Sequence, residues 1–255
     1  MNATPPDGAF RIEELLADVI ARLIGDARHV AVGMASPIPA MGALLARQRA
    51  GGRPLVSVLQ SQTAFTDGGR ELFDCAGQGR VDVFFLSGAQ IDGKANINLV
   101  CTGDYHHPQT RFAGSFGSSY LAFVVPRVIL FRLEHTPRTL VERVDFISAP
   151  GTSPPGIYRP GGPVALITSR CLFAFDRPHG RFRLERLHPG HTLEEIVAHT
   201  GFSFDVPDVV PTTAPPSVET LRLLREVVAP EIAEVYPQFA ASVFGATLNR
   251  ENARA

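Results

Sequence analysis

Apolar residues at helical spacing predict helices at four places in the chain. From Phe10 to Ile24 the apolar positions recur at intervals of three and four, which places them on one face of a helix. Pro39–Arg49 and Ser217–Val228 are predicted as further helices, and Pro230 is expected to end the latter. A capping box opens a shorter helix over Thr192–His199.

Short apolar runs alternate with the helices and predict buried strands. This alternation is typical of an α/β fold in which an open, mostly parallel sheet is covered by helices on both faces. Val164–Phe175 and Phe182–Leu187 flank a polar turn and predict an antiparallel hairpin in the C-terminal half. Helical segments are also expected at Arg70–Gln78 and from Ser118 to Val125. The predicted parallel strands are His29–Gly33, Pro54–Leu59, Val81–Leu86 and Val128–Leu133.

The chain is predicted to form a single domain over residues 1–255, with a tail at 1–9 and an extension at 231–255. Pro150–Pro163 is rich in proline and glycine, so we interpret it as a long loop within the domain. A hydrophobic content of 45% with only 19% charged residues suggests a subunit with one face covered by a partner.

Charge and cysteine usage exclude several classes of protein. The net charge of −1 gives no reason to expect nucleic acid or an acidic membrane as a partner. Neither a secretory signal nor a run of apolar residues that could span a membrane is recognisable, so a cytoplasmic location is expected. Three cysteines, widely spaced and without a C-x-x-C pair, suggest neither disulfides nor a zinc site.

The stretch Phe85–Ser119 is the strongest candidate for a binding site. It directly follows a predicted buried strand, and ligands of open α/β sheets bind at the carboxyl ends of strands. Its glycines and amides are of the kind that contact a ligand. The candidate binding residues are Gly88, Ala89, Gln90, Asn96, Asn98, His106, Arg111, Gly114, Ser115, Phe116 and Gly117.

Simpler roles remain open for several of these residues. Asn96 and Asn98 could be turn residues that satisfy their own backbone. His106 could act as a hydrogen-bond donor or general acid, but no third ligand is spaced to form a metal site with it and its neighbour. Arg111 could pair with a phosphate of coenzyme A, with a substrate carboxylate, or with solvent.

Several segments of the chain together resemble a known family. GAQID from Gly88, GDYHHPQTRF from Gly103 and DFISAPG from Asp145 closely resemble the β subunit of the glutaconate CoA-transferases, within the class I CoA-transferase superfamily. The resemblance implies the superfamily's open α/β (NagB-like) fold and an acyl-CoA thioester as substrate, with coenzyme A as the only cofactor and no metal. It also implies an α subunit as partner, usually in an α2β2 heterotetramer.

The sequence departs from this family at the position of its nucleophile. In these enzymes a glutamate just after the second strand attacks the thioester carbonyl, and a covalent glutamyl intermediate follows. Here the segment reads Val58-Leu59-Gln60-Ser61-Gln62, so that Gln60 or Gln62 occupies the glutamate position. The nearest carboxylates in sequence are Asp67 and Glu71, which a loop could bring back.

Three functions are compatible with this departure. The chain could belong to a CoA-transferase whose nucleophile is replaced. It could belong to a diverged enzyme, since the superfamily also contains a hydrolase that opens a steroid ring in cholesterol degradation and a 3-methylglutaconyl-CoA decarboxylase, both of which this chain resembles. It could also be a structural subunit. In coenzyme A transfer, hydrolysis and decarboxylation alike, charge develops on or next to the thioester carbonyl. Preorganised N–H donors stabilise such charge.

Overall fold

A computed structural model describes residues 9–59, 61 and 67–252, the last seven of these by their backbone alone. The helices are α1 (Ile12–Ile24), α2 (Pro37–Arg49), α3 (Gly68–Gly77), α4 (Ser118–Val124), α5 (Leu193–His199), α6 (Val218–Arg222), α7 (Ala229–Val235) and α8 (Pro237–Asn252). The strands are β1 (His29–Val32), β2 (Leu55–Val58), β3 (Val83–Leu86), β4 (Gln90–Ile91), β5 (Ile97–Asn98), β6 (Cys101–Gly103), β7 (Pro108–Arg111), β8 (Arg127–Phe131), β9 (Pro163–Ile167), β10 (Cys171–Asp176) and β11 (Arg181–Leu187).

The chain divides into two compact units. The first comprises residues 1–72 and 214–255, and the second comprises 73–213. Within the first unit β1 and β2 are parallel, with Val32 opposite Val58. Helix α1 packs on α2 through the face that the periodicity predicted, and a Cβ at Gly42 would overlap the side chain of Ile20. Glycine at this position therefore lets the two helices approach closely.

Buried ion pairs fasten the C-terminal helices of the first unit to α1. Arg225 binds the buried Glu14 with distances of 2.7 Å and 3.0 Å. Arg49 donates both to the fully buried Asp18 and, at 2.5 Å, to Thr220 at the start of the C-terminal helices. Each buried carboxylate is thus paired with a guanidinium, as charges inside a protein require.

The predicted end of the last helix at Pro230 is wrong. A π-helical turn over Leu223–Val228 carries the helix into α7, which includes Pro230 in its first turn. In the π turn the Ala229 N–H bonds to the carbonyl of Leu224, five residues back. Proline has no N–H to donate and its ring clashes with the carbonyl four residues earlier, so a wider turn before it relieves the clash and the helix continues.

The second unit contains strands in the order β11-β10-β9-β8-β3. The pairs β3–β8 and β8–β9 are parallel, whereas β9–β10 and β10–β11 are antiparallel. Together with the parallel pair of the first unit, these pairings confirm the predicted α/β class with mostly parallel strands. No helix in the described ranges is long and apolar enough to cross a membrane.

The predicted C-terminal hairpin is an antiparallel meander of three strands. The segment expected as one strand over Val164–Phe175 is broken between β9 and β10. Thr168 makes the break because its Oγ1 accepts from the N–H groups of Arg170 at 3.1 Å and Cys171 at 3.2 Å. Such local bonds offer the backbone an alternative to a continuous strand. Phe173 and Phe182, with ring centroids 5.9 Å apart, lie at the centre of the core beneath the meander.

Candidate functional site

The two predicted catalytic glutamines, Gln60 and Gln62, lie outside the described residues. Ser61 between them is described, and its N–H donates to the carbonyl of Val58 at 2.9 Å, so it lies at the carboxyl end of β2. The alternative carboxylates are engaged near the start of α3. Glu71 accepts from the N–H of Asp67 at 3.3 Å, and Asp67 lies 3.2 Å from Arg70 in an exposed ion pair.

The amides of Gln90 and Asn98 lie opposite each other on the hairpin of β4 and β5. Asn98 is fully buried, and its Nδ2 donates to Gln90 Oε1 at 2.7 Å and to the carbonyl of Cys101 at 2.6 Å. Gln90 in turn donates to Asp145 at 3.1 Å and accepts from the N–H of Asp145 at 3.0 Å. Gln90 therefore joins the β4–β5 hairpin to the segment around Asp145, and Asn98 holds the Gln90 amide in place.

Asn96 has a similar role at the other end of the hairpin. Its Nδ2 donates to Asp92 at 3.1 Å, and its Oδ1 accepts from the N–H of Gly151 at 3.0 Å. The buried Asp92 also accepts from the N–H groups of Lys94 and Asn96. The three predicted amide ligands thus bond to protein groups, and their use as ligand contacts stays a prediction.

Gly88 and Ala89 precede this hairpin and are held by its backbone. A Cβ at Gly88 would lie 2.5 Å from Ile97 and 2.7 Å from the carbonyl of Gln90, so only glycine fits. The N–H of Ala89 donates to the carbonyl of Asn98 at 2.9 Å. Close packing explains why residue 88 is a glycine without a ligand.

His106 and Arg111 lie on the exposed hairpin of β6 and β7. Arg111 donates to the carbonyl of Tyr105 at 2.9 Å and stands 5.0 Å from the centre of the Tyr105 ring. The ring of Tyr105 also stacks on Phe146 at 5.3 Å. Asp104 accepts from the N–H of His106 at 2.9 Å and orders the turn. The guanidinium is therefore held against the hairpin, while His106 remains exposed.

The segment Gly114–Gly117 has an unusual backbone. Gly114, Phe116 and Gly117 all have positive φ values, of 103°, 39° and 71°. A large aromatic residue such as Phe116 rarely adopts a positive φ. The residue is also 68% exposed, so no burial of its ring accounts for this backbone conformation. Gly117 cannot be replaced without strain, because a Cβ would lie 2.7 Å from the ring of Phe73.

This backbone leaves three successive donors free. The N–H groups of Ser115, Phe116 and Gly117 bond to no residue in the described part of the chain, whereas those of Gly114 and Ser118, on either side, are bonded to Leu99 and Ser115. Successive backbone N–H groups in an αR–αL or turn conformation can form a concave nest that binds anions and partial negative charge. We call Ser115–Gly117 the N–H nest. Four of the predicted binding residues, Gly114 to Gly117, form or border it.

Sequence reasoning missed the carboxylates that support the predicted amides. Asp92 and Asp145 together accept bonds from the hairpin, and Asp145 also accepts from the N–H of Gly103 at 2.9 Å. Ser148 Oγ accepts from the N–H of Leu99 at 3.0 Å and donates to the carbonyl of Ile97. The DFISAPG motif contained two of these residues, Asp145 and Ser148, so it was an available signal.

Buried titratable groups of the second unit are unsuited to acid–base chemistry at neutral pH. His135 shares hydrogen bonds with Thr168 and Thr200, and burial lowers the pKa of His135 to about 3. Burial likewise lowers the pKa of His188 to about 4 and raises the pKa of the Cys171 thiol to about 12. Neutral histidines and a protonated thiol are core residues here.

A groove of about 680 Å³ lies beside the β4–β5 hairpin. Lys94, Arg143, Phe202 and the ion-paired Arg181 line it, and Asn96 is the one predicted binding residue that reaches it. Across residues 9–59, 61 and 67–252, no group of three or more His, Cys, Asp or Glu side chains is placed to hold a metal ion.

Comparison with known proteins decides the family. The family model described as "Coenzyme A transferase" matches residues 50–199, which is more than half of the chain. The chain belongs to the coenzyme A transferase family. The matched region contains Ser61, the β4–β5 hairpin and the N–H nest.

Curated relatives carry out different reactions. The chain is 35% identical over 156 residues to the B subunit of glutaconate CoA-transferase from Acidaminococcus fermentans, a match that covers 58% of this chain and 57% of the relative. It is 36% identical to the B subunit of 3-oxoadipate CoA-transferase from Pseudomonas knackmussii over 59% of this chain and 60% of the relative. It is 30% identical to the cholesterol ring-cleaving hydrolase IpdB subunit of Rhodococcus jostii over 63% and 64%. The matches thus span about three fifths of the relatives' lengths.

Solved structures confirm the fold over a larger share of the chain. Rhodococcus jostii IpdAB superposes with a TM-score of 0.76 at 25% identity, covering 88% of this chain and 97% of the other. Glutaconate coenzyme A-transferase of Acidaminococcus fermentans gives 0.74 at 25% identity, with 89% and 97% covered. A variant of the decarboxylase AibA/AibB gives 0.69 at 26% identity, with 85% and 95% covered.

Proposed function

We propose that this chain is the β-type subunit of a two-subunit coenzyme A transferase family enzyme that acts on an acyl-CoA thioester. The observation that carries the proposal is the N–H nest, whose three donors lack an acceptor among the described residues. A thioester carbonyl gains negative charge when it is attacked or when its α-carbon becomes an enolate. Fixed N–H donors stabilise that charge, and each donor of this kind typically accounts for about 100-fold or more in rate.

The backbone around the nest supports this role. The positive φ of Phe116 costs roughly 1–3 kcal/mol, a strain that is usually found where function requires it. The same conformation turns the Phe116 ring outward, next to the donors. An acyl-CoA could therefore place its carbonyl oxygen at the nest and its apolar atoms against the exposed ring.

The partner we propose is an α subunit of the same enzyme, in an α2β2 assembly. The names of the similar structures AibA/AibB and IpdAB each denote two kinds of chain, and two curated relatives are named as the B subunits of their enzymes. The low share of charged residues, 19%, is consistent with a face that a partner covers.

A true transferase is the first candidate for the reaction, and a diverged hydrolase or decarboxylase is the second. It is favoured by the glutamines at positions 60 and 62, because an amide is a poor nucleophile at neutral pH. A hydrolase and a decarboxylase are also among the relatives. A purely structural role is the third candidate, in which the partner carries all the chemistry.

The deciding experiment is to co-express the chain with its α subunit and incubate the complex with a panel of acyl-CoAs, with and without acetate. Products are followed by mass spectrometry. Exchange of coenzyme A that requires acetate identifies a transferase, whereas a gain of water or a loss of CO2 without exchange identifies a diverged enzyme. If no acyl-CoA is converted, the proposal fails.

Restoring a carboxylate separates the two reaction types further. In a diverged enzyme, Gln60→Glu or Gln62→Glu should introduce acetate-dependent exchange, because a carboxylate nucleophile can pass through covalent glutamyl intermediates. Gln78→Glu, at an exposed residue just after α3, is the matched control and should introduce none. If the wild type already exchanges coenzyme A with acetate, a carboxylate elsewhere must act as the nucleophile.

A further inference from the structure

A small cavity lies in the first unit, at the carboxyl end of β2. It has a volume of about 70 Å³, enough for a few water molecules or the end of an acyl chain. Ser61 lines one side, and aliphatic residues of α2, β2 and α7 form much of the wall. The carboxyl ends of parallel strands are where ligands bind in α/β folds, and Ser61 stands between the two predicted catalytic glutamines.

The C-terminal segment supplies the polar groups of this cavity. Glu231, Glu234 and Tyr236 all line it, although they lie about 170 residues after Ser61 in the sequence. Arg47 binds both carboxylate oxygens of Glu231, at 2.5 Å and 2.6 Å. This ion pair neutralises Glu231 and fixes α7 against α2.

Tyr236 offers a hydrogen-bond donor to the cavity. Its Oη accepts from the N–H of Ser36 at 3.4 Å but donates to no residue in the described part of the chain. Burial raises the pKa of Tyr236, so the hydroxyl keeps its proton at neutral pH. The donor is therefore available to an acceptor atom of a ligand.

Glu234 gives the cavity its charge. It is exposed to solvent, it has no ion pair or hydrogen bond with a described residue, and it lines the cavity together with Tyr236. With Arg47 positive and Glu231 and Glu234 negative, the described lining carries one excess negative charge. A ligand group with a negative charge would be repelled here, whereas a neutral oxygen could accept from Tyr236.

We propose that this cavity receives the distal end of the acyl group, and that Glu234 and Tyr236 make the enzyme prefer an acyl chain ending in a neutral keto or hydroxyl group over one ending in a carboxylate. This inference rests on the proposed function, because it presupposes an acyl-CoA substrate. Glu234 repels the terminal carboxylate of a dicarboxylic acyl group. Tyr236 donates to the neutral oxygen.

The test compares two ligands that differ in one group. Glutaryl-CoA and its analogue with a methyl ketone in place of the terminal carboxylate have nearly the same shape. Binding of each to the αβ complex is measured by calorimetry, and kcat/KM is measured where turnover occurs. We expect the wild-type complex to favour the methyl ketone by at least about 10-fold.

Variants assign the preference to the two residues. Glu234→Gln should improve affinity for glutaryl-CoA by about 5-fold or more with little change for the ketone. Tyr236→Phe should weaken ketone binding about 5-fold through KM, with Tm unchanged within a degree or two. Glu219→Gln and Tyr158→Phe, both on exposed residues, are controls that should alter neither ligand.

Two kinds of failure can be told apart. Equal affinity for the two ligands, or a preference that neither variant changes, would overturn the inference while leaving the proposed function intact. Selective binding without any turnover on the wider acyl-CoA panel would contradict the proposed enzymatic function but support the cavity. Failure to bind either ligand overturns the inference.

Discussion

The Nδ2 atom of the fully buried Asn98 donates to Gln90 Oε1 across the β4–β5 hairpin at 2.7 Å. The other atoms of the Asn98 amide are used as well, since Oδ1 accepts from the N–H groups of Val100 at 3.0 Å and Cys101 at 3.3 Å. A residue in a segment that resembles a binding loop thus organises the chain around it.

Replacing Asn98 should destabilise the protein strongly. Asn98→Ala removes the partner of several buried groups, so we expect the free energy of unfolding to fall by about 2–4 kcal/mol in urea denaturation. Gln78→Ala on the exposed surface is the control and should change it by less than about 0.5 kcal/mol. Similar losses in the two variants would show that the amide network contributes little.

Gly117 provides a test of the N–H nest. Gly117→Ala places a Cβ against Phe73 and in a left-handed backbone, so we expect a loss of about 2–3 kcal/mol and a marked fall in kcat of the αβ complex. Gly79→Ala is a matched control, because Gly79 also has a positive φ, of 69°, but a Cβ there meets nothing within 4 Å. It should cost about 1 kcal/mol and leave kcat unchanged. Equal effects of the two variants would exclude the contact with Phe73 as the cause.

The ion pair between Arg225 and Glu14 should contribute substantially to the stability of the first unit. Arg225→Met leaves the carboxylate of Glu14, which is 1% exposed, buried without its guanidinium, and we expect a loss of about 3 kcal/mol. Arg222→Met, three residues earlier, removes only an exposed pair 3.7 Å long and should cost less than about 1 kcal/mol. The double variant Glu14→Gln with Arg225→Met should recover part of the loss; if it recovers none, the penalty does not come from the buried charge.

Stability should fall as the solution becomes acidic because of His135. The pKa of His135 is about 3 in the folded protein and near 6.5 when unfolded, so below pH 6.5 the unfolded state takes up the proton first. The stability present above pH 6.5 is therefore lost as the pH falls toward 3, by about 3 kcal/mol at pH 4.

Urea denaturation at several pH values measures this effect. His135→Gln should make the free energy of unfolding depend less steeply on pH between 6.5 and 4, whatever its effect at pH 7; the buried His188, with a pKa of about 4, accounts for part of the slope that remains. His179→Gln is the control, because His179 is exposed and pairs with Asp176 at 2.8 Å on the surface. A slope that is the same in the wild type and His135→Gln would contradict the burial argument.

Periodicity predicted the elements whose formation depends on local burial. The helix over Phe10–Ile24 and the run at Val81–Leu86 were predicted correctly within one or two residues, because one buried face or a fully buried strand leaves a direct mark on the sequence. The break at Thr168 was missed because a single side-chain oxygen decides it, in a stretch that otherwise has the pattern of one apolar strand.

The predicted site was harder to interpret because its polar residues are satisfied from far along the chain. Asp145 reaches Gln90 from 55 residues away, and Gly151 reaches Asn96 from the same separation. Spacing within the segment cannot reveal such partners. The free donors of Ser115–Gly117 depend on backbone angles that only the glycines indicated.

The π-helical turn over Leu223–Val228 sets the angular position of everything that follows it. Each residue of an α-helix advances the chain by about 100°, so removing one residue from the wide turn would rotate α7 by roughly that amount. Arg225 would still reach Glu14, but Glu231 and Tyr236 would face away from Arg47 and Ser36. The number of residues between Arg225 and Tyr236 thus fixes the direction in which the side chains of α7 face. Single-residue insertions or deletions in this interval should therefore lower stability and activity more than most substitutions.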